Sequence, residues 1–269
     1  MKKIVKDKLT FYTFEEINRK ETAIFVTTRS NGFSVGTFHS LNLGLHVGDN
    51  MHDVEKNRRL VFEKLDLDIN KLTCPEQVHG SNVNVVTEKD VGKGNLNYET
   101  SILETDALIT NLKNVPLMVV SADCLAISFI DIKNKIIGIA HAGWKGTLGK
   151  IAGKTIDKMI TEFGSDPKDI LIGFSPSVGQ CCYKVGVEVV TSFFDVFGED
   201  AKNYFLINDG NFYLDLVKVN YKIVVQKGVL EKNIEVSNIC TSCNDHTFFS
   251  HRKDGGQTGR FGTIISLSI

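Results

Sequence analysis

Apolar positions along the chain fall into short stretches of changing period. Residues 23–28 form a strand-like run, and residues 30–50 after it are rich in Gly, Ser and Asn without any period, as in a loop. From Asp53, a candidate N-cap, Val54, Leu60, Val61 and Leu65 recur near helical spacing and predict a helix to about Leu65. Val83 and Val85 alternate as in a strand, and the polar, Gly-containing residues 88–101 read as a connection. The most apolar part comes next. Residues 117–130, a turn at 131–135 and residues 136–141 predict two strands joined as a hairpin. A helix then begins after Gly143 and Gly146, with Thr147 as N-cap and Leu148, Ile151, Ile156, Met159 and Ile160 as its buried stripe. Residues 170–174, 234–239 and 261–267 look like strands. Residues 185–197 and 216–226 look like helices, the second closed by Gly228 at C′. Strands and helices that mix without strict alternation point to an α+β fold rather than a doubly wound sheet.

Composition narrows the function. With 269 residues, 42% hydrophobic and 23% charged, the chain is long enough for one or two domains, each with an ample core. A net charge of -1 gives no global attraction for nucleic acid or an anionic membrane, so an anionic ligand must be met locally. Residues 1–8 are charged with no apolar run behind them, and no stretch reaches the roughly 18 residues of a membrane span. A cytoplasmic location is the expectation. Six Cys in a chain of this length, two of them adjacent at Cys181 and Cys182, do not resemble a secreted disulfide framework, and reduced thiols are expected.

The predicted hairpin brings chemistry together. Cys124 lies in its first strand and His141 at the end of its second. If the turn has an even number of residues, the two share a sheet face within one diagonal step, about 7–8 Å between Cα atoms. An odd turn puts them on opposite faces. A thiol and an imidazole that close can share Zn²⁺ or form a thiolate–imidazolium pair, and the plain alternative is a buried Cys beside a satisfied His. His79 sits in a polar, glycine-flanked turn, residues 75–80, where a core histidine has no obvious purpose. Two imidazoles and one thiolate leave Zn²⁺ a residual positive charge and an open fourth position, the setting in which bound water ionises near pH 7.

Several words of the chain are distinctive in order and spacing: Gln77-Val78-His79-Gly80, Asp106-Ala107-Leu108, Ala122-Asp123-Cys124, His141-Ala142-Gly143-Trp144-Lys145-Gly146, Cys181-Cys182-Tyr183 and Phe248-Phe249-Ser250-His251-Arg252. With residues 40–49, they resemble the family long labelled laccase-domain or polyphenol oxidase proteins, now associated with purine nucleoside phosphorolysis. The resemblance runs from about Phe25 to Arg260. It implies a single four-layer α/β/β/α domain over residues 1–269, related to cysteine hydrolases. It also implies a metal, zinc, held by His79, Cys124 and His141, which would be the catalytic residues. Phosphorolysis of adenosine, inosine and methylthioadenosine, together with adenosine deamination, follows from the same resemblance.

Other signals are weaker. Cys240-Thr241-Ser242-Cys243 has zinc or redox spacing, but without a second C-x-x-C it reads as a loop with incidental thiols. Cys181 and Cys182 read as packing residues, with substrate contact as the second reading. Gly149-Lys150 lacks the Gly and Ser/Thr that a phosphate loop requires, although residues 143–147 offer free N–H groups to an anion. Arg58, Asn42 and His46 make a candidate phosphate or ribose site. For phosphorolysis, Arg58 and Lys145 are the expected partners of the phosphate nucleophile; for deamination, Asp123 is the expected proton shuttle. Two alternatives stand beside a nucleoside enzyme. One is copper-dependent phenol oxidation, although a multicopper centre needs more imidazoles than the seven histidines present, and copper binding in vitro follows from its general affinity. The other is hydrolysis of an amide, such as a peptidoglycan precursor, by Cys124 with His141 as base.

Overall fold

The computed structural model describes residues 1–18 and 21–267. A hairpin of β1 (Lys2–Lys6) and β2 (Leu9–Thr13) leads into β3 (Thr22–Thr27), and a long loop then enters helix α1 (Met51–Leu65). Next come β4 (Val83–Val85), β5 (Ala107–Thr110), β6 (Leu117–Ser121), β7 (Leu125–Asp131) and β8 (Ile136–Ala142), followed by helices α2 (Trp144–Leu148) and α3 (Ile151–Phe163). The remainder is β9 (Ile170–Phe174), β10 (Lys184–Val185), α4 (Val187–Phe197), β11 (Phe205–Asn208), β12 (Asn211–Leu214), α5 (Leu216–Gln226), β13 (Ile234–Val236) and β14 (Phe261–Leu267). A five-stranded sheet runs β1-β2-β3-β14-β6, a six-stranded sheet β13-β9-β7-β8-β5-β4, and a small sheet β10-β12-β11.

Alternation of side chains decides how these pack. Met118, Val120 and Ile264 of the five-stranded sheet turn outward onto Val61, Phe62 and Leu65 of α1. Leu117, Val119 and Ile265 turn inward and meet Ala126, Ile130, Ile137 and Ile139 of the six-stranded sheet. On its other face that sheet presents Ile127, Phe129 and Ala140 to Ile156 and Met159 of α3, Phe193 of α4 and Val219 of α5. Helix α1, the two sheets and then helices α3–α5 follow one another through the molecule, an α+β arrangement in which the central strands β6, β7, β8 and β14 are buried on both faces.

Several sequence expectations change. The apolar run 117–130 is two strands, because Asp123 has φ +91° and the chain crosses from the five-stranded to the six-stranded sheet through residues 122–124. Both halves are buried on both faces, so hydropathy carries no mark of the break. Helix α1 is capped by Asn50, whose side chain accepts the His52 N–H at 3.0 Å; Asp53 lies inside the first turn. Thr147 is not a cap: it sits within α2, buried, accepting a hydrogen bond from Asn220 at 2.9 Å, and α3 starts separately after Lys150 at φ +56°. Val185 belongs to β10 rather than to α4, and β13 ends at Val236. Residues 1–8, read as charged, belong to a hairpin over residues 2–13 in which Leu9, Phe11 and Thr13 alternate inward.

Candidate metal centre and cavity

The hairpin turn has four residues, 132–135, and Ala126 pairs with His141. The even turn puts Cys124, one residue ahead of β7, two positions from the residue opposite His141. Strand directions gather the rest. Strand β8 is antiparallel to β7 and to β5, and β5 is parallel to β4. The start of β7, the end of β8 and the segments entering β5 and β4 therefore lie at one end of the sheet. They carry Cys124, His141, Asp106 and His79 respectively. The ligand atoms of His79, Cys124 and His141 all lie within 4.8 Å of one another. Their two imidazole rings are 4.8 Å apart at 79°, edge to face.

Asp106, a family word without an assigned role in the sequence reading, organises this group. Its carboxylate is fully buried and accepts the His79 N–H at 3.0 Å, the Gly80 N–H at 2.7 Å, the Val78 N–H at 3.3 Å and His141 Nδ1 at 2.9 Å. Three amides on one carboxylate hold the turn that keeps His79 at φ +59°, a conformation costly for a residue with a Cβ. With Nδ1 donating to Asp106, Nε2 of His141 keeps its lone pair for Cys124 or a metal. Burial opposes charge on Cys124, but the charge and hydrogen bond of His141 outweigh it and hold the thiol at about 6. Burial likewise opposes charge on His141, but Cys124 and then Asp106 outweigh it and raise the imidazole to about 9. Without metal the two therefore form a thiolate–imidazolium pair at neutral pH.

The donor set fits a borderline-soft divalent ion. A Cβ on Gly143 would stand 3.1 Å from Cys124 Sγ and 3.3 Å from His79 Cδ2, so a glycine keeps the space beside the ligands clear.

The group opens into a cavity of about 700 Å³, within the usual range of small-molecule sites. Its wall includes His46, Gln77, Asp123, Tyr183, His251, Arg252 and Arg260. His46 and Asp123, both candidates from the sequence, line this cavity. His46 is exposed at the mouth, yet desolvation by the surrounding walls and then the nearby Arg260 push its pKa down to about 4. Both oxygens of Asp123 are held: Oδ1 accepts from Thr241 Oγ1 and Oδ2 accepts the Arg252 N–H at 2.6 Å.

Asn42, Arg58 and Lys145 lie outside the cavity wall. Asn42 is fully buried; its Oδ1 accepts the Gly44 and Arg260 N–H groups at 2.9 and 2.8 Å, and its Nδ2 donates to Asp49 at 2.8 Å. Arg58 is 3% exposed and donates to the carbonyls of Leu43 at 2.9 Å, Gly94 at 2.8 Å and Asn95. It braces residues 88–101 against the 42–49 loop. Lys145 is exposed and rests over the Trp144 ring at 5.5 Å.

The cavity's cations are instead Arg252, over the Tyr183 ring at 5.5 Å, and Arg260, whose Nη1 donates to the carbonyls of Thr258 at 2.7 Å and Gly259 at 3.0 Å. Burial holds the Arg260 pKa below its ordinary value. Arg252 stood in a recognised word without a role, and only the return of β14 beside β6 brings Arg260 to the site.

A family model described as multi-copper polyphenol oxidoreductase laccase matches residues 23–268. The chain belongs to that family. It is 40% identical over 241 residues to purine nucleoside phosphorylase YlmD of Geobacillus stearothermophilus, covering 89% of this chain and 88% of that protein. It is 32% identical over 249 residues to adenosine deaminase RL5 of an unknown prokaryotic organism, covering 90% and 92%. The crystal structure of YlmD from Geobacillus stearothermophilus has a similar family fold, with a TM-score of 0.90 at 37% identity over 93% of each chain. Among the described residues no helix is long and apolar enough to cross a membrane.

Proposed function

We propose that the chain is a purine nucleoside phosphorylase, cleaving adenosine and inosine with phosphate, with methylthioadenosine as a further substrate and adenosine deamination as a second activity. The observation that carries this reading is the His79, Cys124 and His141 group opening into a cavity with two arginines in its wall, in a chain 40% identical to a phosphorylase. The residues that would hold a metal are His79, Cys124 and His141, and zinc is the ion proposed. When bound, zinc supplies a Lewis acid with an open coordination position.

The chain's own groups do the rest. Arg260 and Arg252 neutralise the phosphate, in place of Arg58 and Lys145, because they face the cavity. His46, neutral at pH 7, hydrogen-bonds without adding charge. Tyr183 stacks against Arg252 and narrows the wall, while Asn42 fixes the backbone of Arg260 from behind. A cytoplasmic location suits a site that uses a reduced Cys124.

The test is metal analysis of protein purified without added metals, with adenosine assayed with and without phosphate. Adenine release that needs phosphate supports phosphorolysis, and inosine formed without phosphate supports deamination. Phenol turnover by copper-loaded protein that far exceeds nucleoside turnover by zinc-loaded protein would replace this reading with the oxidase.

One observation favours a second reading. Cys124, His141 and Asp106 form a thiolate, imidazole and carboxylate relay of the kind that activates a nucleophile, which suits amide hydrolysis. Amide hydrolysis by metal-stripped protein, without nucleoside cleavage by the loaded form, would favour it.

A further inference from the structure

Away from the cavity floor, four cysteines dismissed above as packing or incidental converge. Cys181 and Cys182 lie in the loop after β9, and Cys240 and Cys243 in the loop before β14. Their sulfurs all lie within 4.8 Å of one another, with Cys243 Sγ 3.6 Å from Cys181 Sγ and 3.4 Å from Cys182 Sγ. Four thiolates about 2.3 Å from a tetrahedral ion stand about 3.8 Å apart, whereas a disulfide closes to about 2.05 Å. The 3.4 and 3.6 Å separations are close to the spacing of ligands and far from a disulfide.

The backbone is shaped for the same purpose. Thr241 N–H donates to the Ser177 carbonyl at 3.0 Å and Ser177 N–H to the Ile239 carbonyl at 3.2 Å, which locks the two loops side by side. Gly179 N–H points at Cys240 Sγ, 3.2 Å away. A Cβ at Gly179 would meet Cys240 Cβ at 3.1 Å and Cys181 Sγ at 3.3 Å, so glycine lets the loop close around the sulfurs. The missing partner of the C-x-x-C is thus the vicinal pair, invisible in sequence because some sixty residues separate them.

We propose that Cys181, Cys182, Cys240 and Cys243 bind one zinc ion in a tetrathiolate site. The four S–H protons pass to solvent, which reaches the exposed Cys181 and Cys243, and no electrons move. Four protein ligands leave no open position, so the site is structural. What it holds is the cavity wall: Thr241, between two ligands, donates to Asp123, the neighbour of Cys124.

The test uses the full chain, purified under reducing conditions without added metal. In Cys124→Ala protein, which lacks the other thiolate ligand, one zinc per chain is expected, and adding Cys240→Ser or Cys243→Ser should remove it. Should that variant not fold, cobalt exchanged into the unmodified protein should show the intense thiolate charge-transfer and tetrahedral d–d bands of four sulfur ligands, lost in Cys243→Ser. Zinc-free Cys124→Ala protein in which Cys181, Cys182, Cys240 and Cys243 all react freely would overturn the proposal. So would a denatured mass lower by two hydrogens per bond, with the four cysteines resistant to alkylation until reduced, which identifies disulfides.

Discussion

Asp106→Asn isolates what one carboxylate does for the metal centre. Oδ1 receives the His79 N–H and His141 Nδ1–H, and Oδ2 receives the Gly80 and Val78 N–H groups. An amide keeps one acceptor and turns an NH₂ toward two donors, in a position with no access to water. Two charge-assisted hydrogen bonds are then lost at about 1.5–3 kcal/mol each, so a loss of about 3–5 kcal/mol is expected, the long Val78 bond keeping it below the full sum. The metal should feel the change separately. Once Nδ1 no longer donates to a carboxylate, His141 is free to adopt the other tautomer, and affinity should fall by about 10–100-fold. Urea denaturation of chelator-treated protein reads the first effect, and competition with a chromophoric chelator reads the second. A metal-free stability within about 1 kcal/mol of the parent, together with unchanged zinc affinity, would refute the role given to Asp106.

In metal-free protein, Cys124 should alkylate with a midpoint near pH 6, as its pKa indicates, and His141→Ala should move that midpoint up; residue-resolved mass spectrometry reads both. The depressed Cys124 adds stability as pH rises from about 6 to 9, while the raised His141 removes stability from its unfolded value to about 9. The opposing slopes make this pair's contribution nearly flat from pH 6.5 to 9, and a steep slope in that window that disappears in Cys124→Ala would contradict the pairing. Arg58→Ala should lower the unfolding free energy by about 3–5 kcal/mol, because it leaves buried carbonyls without partners, whereas Arg260→Ala should raise the KM for phosphate about tenfold or more. The reverse pattern would restore Arg58 as the phosphate ligand. Gly143→Ala should fold, since its φ of -70° suits any residue, but weaken metal binding by crowding Cys124 and His79; equal zinc affinity in a chelator titration would remove the glycine from the site.

Periodicity exposed those elements that bury one face or one continuous run. Helix α5 and strands β9 and β14 lie where the pattern put them, because each is bounded by residues that stop it, such as Gly228. The break at Asp123 escaped, since strands buried on both faces need no polar residue where they change sheets. Within the site, the hairpin put Cys124 near His141 but left open which faces they share, which the register of β7 and β8 decides, and the family words supplied His79. Asp106 and Arg260 were hidden for different reasons. Asp106 acts through four hydrogen bonds to backbone and ring, which leave no sequence signature, and Arg260 arrives only when β14 pairs with β6. Arg58 was ambiguous in sequence, because a buried arginine that donates to carbonyls has the same helical context as one that binds an anion.

The centre is mounted on sheet ends, whereas much of its cavity wall, Tyr183 and residues 251–260, comes from the loops that follow β9 and precede β14. The His-Cys-His group and much of the cavity outline thus belong to separate parts of the molecule. Loops accept substitution and insertion far more readily than paired strand ends do. Mutation can therefore reshape what enters the cavity while the His-Cys-His group stays in register. A lineage built on this chassis can diverge in what enters the cavity by editing two loops, without passing through an ancestor that has lost the His-Cys-His group.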